Sequence, residues 1–238
     1  MKPYEECEDC VAVPFCKYFK GELTAPTHPN WCNIRFRLDK ALILSSIPAA
    51  YRNANLFNFI VDENNGRAFE KMKPYIENIV EEVQKGRNVF FYSNKFGTGK
   101  TYLACLFLNH YIYKTCLTEK FDFESPLCMF IVYADLMDVL RYHKDEPIVF
   151  NTMGNIRDTP LLLLDDIGSG TMSDYVREQT YLILNHRFNN SLSTIVTSNL
   201  DAETLARSNY LGERNMSRIY AKCVGAKMDG GDKRRPRR

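Results

Sequence analysis

The sequence predicts an α/β fold, a parallel sheet with helices on both faces, and three observations carry that expectation. Short, continuously apolar runs alternate with stretches of helical spacing, the pattern of strands buried on both faces. One such run, Val89-Phe90-Phe91-Tyr92, opens directly into the glycine-containing stretch S-N-K-F-G-T-G-K-T at 93–101, and a helical stretch leaves it. Two others, Leu161-Leu162-Leu163-Leu164 and Ser193-Thr194-Ile195-Val196-Thr197, end in Asp165-Asp166 and Ser198-Asn199. Ligands of parallel α/β sheets sit beyond the carboxyl ends of the strands, and all three polar endings lie there.

The elements follow in order. Residues 38–60 read as a short helix ended by Pro48 and an irregular lead-in. Residues 67–85 place Phe69, Met72, Tyr75, Ile76, Ile79, Val80 and Val83 at helical spacing, with Gly86 as a stop. The first strand is followed by a helix from Lys100 to about Thr115. A second strand, Leu127–Tyr133, leads into a helix from Ala134 to about His143, and strands at 161–164 and 193–197 complete the sheet. The chain thus divides into a cysteine-rich segment at 1–35, a linker and lead-in at 36–65, a main domain at 66–225 and a basic, disordered tail at 226–238.

The loop at 93–101 carries the chemistry. A phosphate site needs inward-facing backbone N–H groups, a helix N-terminus aimed at the anion, a lysine and a hydroxyl. Gly97 and Gly99 let the backbone curl close to the phosphates, Lys100 reaches the β- and γ-phosphates, and Thr101 ligates Mg²⁺. The full pattern has glycine at position 94, where this chain has Asn94, the residue that most readily substitutes in a left-handed conformation. Asn94, Gly97, Thr98, Gly99, Lys100, Thr101 and Tyr102 are the candidate nucleotide contacts. A glycine-containing turn before an ordinary helix has the same composition, but the strand–loop–helix context favours nucleotide. Asp165 completes the metal site and Asp166 orients or deprotonates the attacking water. Asn199 either senses the γ-phosphate or caps a helix beginning near Asp201.

Four of the eight cysteines, Cys7, Cys10, Cys16 and Cys32, fall in the first 32 residues, spaced C-x2-C-x5-C-x15-C. Four thiolates suit a closed, structural Zn²⁺ site, and a metal orders a segment too poor in large apolar side chains to fold alone. An iron–sulfur cluster would use the same four, His28 is an alternative ligand, and a disulfide is disfavoured in a reducing setting. Cys105, Cys116, Cys128 and Cys223 stand apart and read as core. The net charge of +2 conceals a division: the last six residues carry five positive charges, and removing them leaves −3 on residues 1–232. Nucleic-acid contact is therefore expected at a local groove or the tail, not across a broadly basic body. No signal-peptide core and no bilayer-length apolar run is found, which places the expectation in the cytoplasm, away from membranes.

These motifs resemble those of AAA+ ATPases, specifically the DnaC/DnaI-type replicative helicase loaders, with IstB-like transposition helpers as near relatives. The resemblance rests on S-I-P-A-A-Y-R-N-A at 46–54, the phosphate loop, Y-A-D-L-M at 133–137, L-L-L-L-D-D-I-G at 161–168, T-S-N-L at 197–200 and G-E-R-N-M-S-R-I at 212–219. The cysteine segment at 7–21 resembles the zinc-containing region of DnaI-type loaders. The family implies an ATP-dependent loader that binds a replicative DnaB-type helicase and single-stranded DNA and self-associates through the ATP site. It implies catalytic roles for Lys100, Asp165, Asp166, Asn199 and Arg218. Arg218 is the arginine finger for a neighbouring subunit's γ-phosphate, supported by Arg214. Ser173 and Tyr175 match positions that contact single-stranded DNA, and Arg141 is a further DNA candidate. Asp166 stands where glutamate is usual, one methylene shorter, which predicts slow hydrolysis. No helical lid domain is expected after Arg218. A transposition helper and a non-hydrolysing nucleotide-dependent adaptor are the alternatives.

Overall fold

The computed structural model describes residues 33–116, 122, 124–142, 147–170 and 172–233. Its centre is a five-stranded, wholly parallel sheet in the order β2-β3-β4-β1-β5. The strands are β1 (Asn88–Tyr92), β2 (Cys128–Val132), β3 (Leu161–Ile167), β4 (Ser193–Ser198) and β5 (Cys223–Lys227). Val89 sits opposite Ile195 on one side and Val224 on the other, and Leu163 is in register with both Phe130 and Ile195. Side chains alternate between the two faces of a strand, so these runs feed two cores. Val89, Phe91, Leu161 and Leu163 face α1 (Asn33–Leu44), α2 (Gly66–Glu77), α3 (Ile79–Gln84) and α4 (Lys100–Thr115). Phe90, Leu162, Leu164 and Val196 face α5 (Tyr133–Tyr142), α6 (Pro147–Asp158), α7 (Asp174–Asn189), α8 (Ala202–Ala206) and α9 (Glu213–Tyr220). A strand covered on both faces needs no polar face, hence the unbroken apolar runs.

Several elements depart from the sequence reading. The helix expected over 67–85 is two helices, because Asn78 breaks away at φ −111°, ψ 30°; Pro74 lies inside α2, which continues through it to Glu77. Proline has no N–H to donate to the preceding turn. Gly86 does stop α3: its φ is +66°, and a Cβ there would lie 2.6 Å from the Ser191 carbonyl oxygen. Strand β3 does not end at Leu164 but runs through Asp165 and Asp166 to Ile167. Helix α6 and strand β5 were not expected. Cys105, Cys116 and Cys128 are buried as expected, whereas Cys223 is only half-buried, since β5 is an edge strand.

The lead-in at 36–65 contributes Leu38, Ala41, Leu42, Ile47 and Ala54 to the α4-side core. Asn109, fully buried on α4, fastens it by donating its amide to the carbonyls of Tyr51 and Ala54, both at 2.8 Å. Buried backbone acceptors need such partners. On the other face, buried Arg187 binds the carbonyls of Ile156, Thr159 and Ser193, which locks the end of α6 to α7 and β4. Among the described residues, no helix is long and apolar enough to cross a membrane. The four cysteines of the predicted metal site, and residues 234–238 of the basic tail, lie outside the described residues.

Candidate nucleotide-binding site

Strand β1 ends at Tyr92 and α4 begins at Lys100, so the intervening residues turn the chain beneath the N-terminus of a 16-residue helix. Gly97 (φ +69°) and Gly99 (φ +91°) are left-handed, and Gly99 is the N-cap of α4. These are the conformations that glycine adopts without steric cost. Asn94 differs from its expectation: its φ is not positive, so position 94 does not call on glycine's freedom, and asparagine there needs no left-handed propensity.

Lys100 is 8% exposed, and its ammonium donates to Asn199 Oδ1 at 2.8 Å and to the Lys95 carbonyl at 3.2 Å. Asn199 Nδ2 in turn donates to Asp166 Oδ1 at 2.6 Å. These partners fix which end of the amide faces which residue. Beside this chain, Thr101 Oγ1 donates to Asp165 Oδ1 at 2.9 Å, and Thr197 Oγ1 donates to the same oxygen at 2.6 Å. The Asp166 N–H donates to Thr197 Oγ1 at 2.9 Å. Burial pushes the Asp165 carboxyl above its ordinary range and Asp166 beside it adds to the rise, while the Thr197 and Thr101 hydroxyls and Lys100 oppose it. Asp166 has φ +57°, a conformation that aspartate tolerates better than most residues. The structure thus brings Lys100, Thr101, Asp165, Asp166 and Asn199 together. Asn199 does not cap α8; Asp201 does, accepting from the Thr204 N–H at 2.8 Å.

The cleft over the loop has a volume of about 340 Å³ and is closed on one side by the lead-in, through Tyr51, Asn58, Phe59 and Ile60. Tyr102 donates its hydroxyl to Asn58 Oδ1 at 2.8 Å, and its ring stacks near Phe59 with centroids 6.2 Å apart. The sequence reading included Tyr102 but missed Tyr51 and Phe59 of this aromatic wall, and it missed Thr197. Three features fit a magnesium–nucleotide. The helix N-terminus and two left-handed glycines form a cradle for an anion. Thr98 Oγ1 is buried without a hydrogen-bond partner among the described residues, beside the loop backbone. The Thr101 hydroxyl and Asp165 carboxylate are hard oxygen donors suited to Mg²⁺.

Arg218 and Arg214 lie elsewhere, on α9. Arg218 Nε donates to Asn185 Oδ1 at 2.9 Å, and its guanidinium lies 4.7 Å from the Phe188 ring centroid. Arg214 stacks 4.0 Å over the Tyr181 ring. The Arg218 carbonyl accepts from Asn88 Nδ2 at the first residue of β1. The phosphate loop leaves the other end of that five-residue strand, about 13 Å away at the rise of a parallel strand. Arg218 is therefore not brought to its own chain's phosphate loop. Ser173 is the N-cap of α7, its hydroxyl accepting from the Val176 N–H at 3.3 Å, and Tyr175 is 44% exposed in the first turn. Arg141 is exposed in the last turn of α5, which packs against α7.

No family model matches the chain. It is 25% identical over 188 residues to the replicative helicase loader DnaI of Bacillus subtilis, an alignment covering 74% of this chain and 57% of that one. It is 27% identical over 191 residues to the replicative helicase loader DnaC of Buchnera aphidicola from Schizaphis graminum, covering 79% of this chain and 71% of that one. A crystal structure of the DnaC helicase loader superposes with a TM-score of 0.63 at 28% identity, over 76% of this chain and all of that one. The chain resembles the DnaC/DnaI-type replicative helicase loaders in sequence and in fold. Its parallel five-stranded sheet with flanking helices matches the fold of that loader structure. It spans only 57% of the length of the DnaI relative.

Proposed function

We propose that this protein is an ATP-dependent helicase loader, which binds a replicative DnaB-type helicase and helps place it on single-stranded DNA in the cytoplasm. The observation that carries the reading is the polar chain from Lys100 through Asn199 to Asp166, set beside Thr101–Asp165 in a fold similar to that of the loaders. In this reading Lys100 and the first turn of α4 bind the β- and γ-phosphates. Thr101 and Asp165 would hold Mg²⁺, which neutralises phosphate charge when bound. Asn199 fixes the Asp166 carboxylate, and Asp166 orients or deprotonates the attacking water. Arg218, held away from its own loop, serves a neighbouring subunit, with Arg214 at the same interface. Arg141, Ser173 and Tyr175 are the DNA contacts. The spacing of Cys7, Cys10, Cys16 and Cys32 supports a zinc-stapled grip on the helicase.

A loading assay with the host helicase on DNA covered by single-strand-binding protein tests this reading. Wild type should deposit helicase, and Lys100→Ala and Arg218→Ala should not. Stripping zinc by dialysis against a chelator, followed by return of Mg²⁺, should abolish helicase binding while leaving ATP binding. A wild-type protein that neither binds nor deposits the helicase removes the loader reading.

Hydrolysis is expected to be slow, below the ~10 s⁻¹ of an ordinary enzyme, because the Asp166 carboxylate sits one methylene short. The left-handed backbone at Asp166 gives that residue a second role. Glutamate is less tolerant of that conformation, at a cost of about 1 kcal/mol. Asp166→Glu should therefore hydrolyse ATP faster yet melt about 2–4 °C lower. Fast wild-type turnover that Asp166→Glu does not raise would show that carboxylate reach is not the limit.

A further inference from the structure

The cleft has a wall that no motif predicted: the chain's own segment after β5. Met228, fully buried, extends the sheet pairing by donating its N–H to the Tyr92 carbonyl at 2.8 Å. The segment turns at Gly230 (φ +115°), where a Cβ would stand 3.0 Å from Asn64 Cβ, and passes over the phosphate loop. The Lys233 N–H donates to the Gly97 carbonyl at 2.9 Å. A Cβ on Gly97 would come within 2.8 Å of Asp232 Cα, and one on Gly99 would lie 3.9 Å from Lys233 Cδ. Lys233 thus lines the cleft beside Gly97, Gly99 and Lys100. Its ammonium pairs with Asp62 Oδ2 at 3.0 Å, in a pair whose side chains are 36% and 23% exposed.

The geometry points to Lys233 as a phosphate-binding residue of this site, a second ammonium supplied in cis by the segment after β5 for the phosphates of a nucleoside triphosphate. The assignment rests on the nucleotide reading given above. The backbone is anchored at Met228 and again at Lys233 itself, so the stem is delivered to the loop while its end stays free to rotate. Cδ stands 3.9 Å from where a Cβ on Gly99 would lie, beside the turn that caps α4. Asp62 holds the ammonium at the cleft rim, and a partly exposed ion pair of that kind is weak. A triphosphate offers several charge-assisted acceptors in its place, and lysine's flexible stem can follow them. The opposing charges nearby are the carboxylates of Asp62 and of Asp232, whose Oδ1 would lie 1.9 Å from a Cβ on Gly97.

The test is titration of ATP, ADP and AMP with Mg²⁺ against wild type, Lys233→Ala, Lys233→Arg, Asp62→Asn and Lys100→Ala, with ligand-free melting curves as the fold control. Lys233→Ala should weaken ATP about tenfold, ADP less and AMP hardly at all, without lowering the ligand-free melting temperature. Lys233→Arg should stay within about threefold of wild type. Asp62→Asn, which releases the ammonium, should bind ATP at least as tightly as wild type. Lys233→Ala binding ATP as well as or better than wild type, while Lys100→Ala loses it, overturns the assignment and leaves the nucleotide site standing. Wild type failing to bind any of the three overturns the site and the assignment together.

Discussion

Lys100→Ala is expected to weaken ATP binding by about 30- to 1000-fold while leaving the fold intact. The lysine is 8% exposed, and its ammonium is held by two neutral oxygens, Asn199 Oδ1 and the Lys95 carbonyl. Both acceptors are uncharged, and a phosphate would add a charged one. Charge-assisted hydrogen bonds contribute about 1.5–3 kcal/mol each, and a net loss of about 2–4 kcal/mol gives the range stated. The fold should tolerate the truncation, because the two stranded acceptors belong to exposed Lys95 and half-buried Asn199, where water can replace the ammonium. Lys100→Arg should not rescue. A planar fork cannot meet Asn199 and the Lys95 carbonyl as a compact ammonium does, and phosphate is bound here by a point charge. Calorimetric titration with Mg²⁺–ATP decides the matter. An unchanged Kd in Lys100→Ala, with an unchanged melting temperature, would remove the lysine from the site.

The parts of the fold legible beforehand were those whose physics is local in sequence. The runs 89–92, 161–164 and 193–197 are strands buried on both faces, and such burial leaves an unbroken apolar signature. Strand β5, C-V-G-A-K, has no such run, because Gly225 and Lys227 interrupt it and only Ala226 is fully buried. The break at Asn78 hides because the apolar spacing continues across it from Ile76 to Ile79. In the site, Lys100, Thr101 and Asp165 were readable from motifs, but their mutual arrangement depends on Thr197, which bonds both Asp165 and the Asp166 N–H from a neighbouring strand. Lys233 is separated from Gly97 by more than half the chain. Only the pairing of β5 with β1 returns it there.

Arg218→Ala should leave ATP binding within about twofold of wild type and reduce hydrolysis by about 10³-fold, the effect of removing an arginine finger. The split follows from where Arg218 stands. Its carbonyl is tied to Asn88 at the start of β1, whereas the phosphate loop leaves the other end of that strand. A side chain anchored there and packed on Phe188 and Tyr181 cannot serve its own loop without dismantling α9. It is nevertheless held in a defined pose by Asn185, and a partly exposed arginine fixed in this way is suited to a partner's phosphate. Action in trans makes a stronger prediction than loss alone. Arg218→Ala keeps an intact phosphate loop, and Lys100→Ala keeps an intact arginine. Each should be inactive by itself, and mixing the two should restore part of the hydrolysis, because a mixed pair assembles one complete site from Lys100 of one chain and Arg218 of the other. The restored rate should rise with the concentration of the second variant until mixed contacts saturate. Two inactive variants that stay inactive when mixed, at concentrations where wild type self-associates, would place the arginine's effect within one chain and dissolve the composite site.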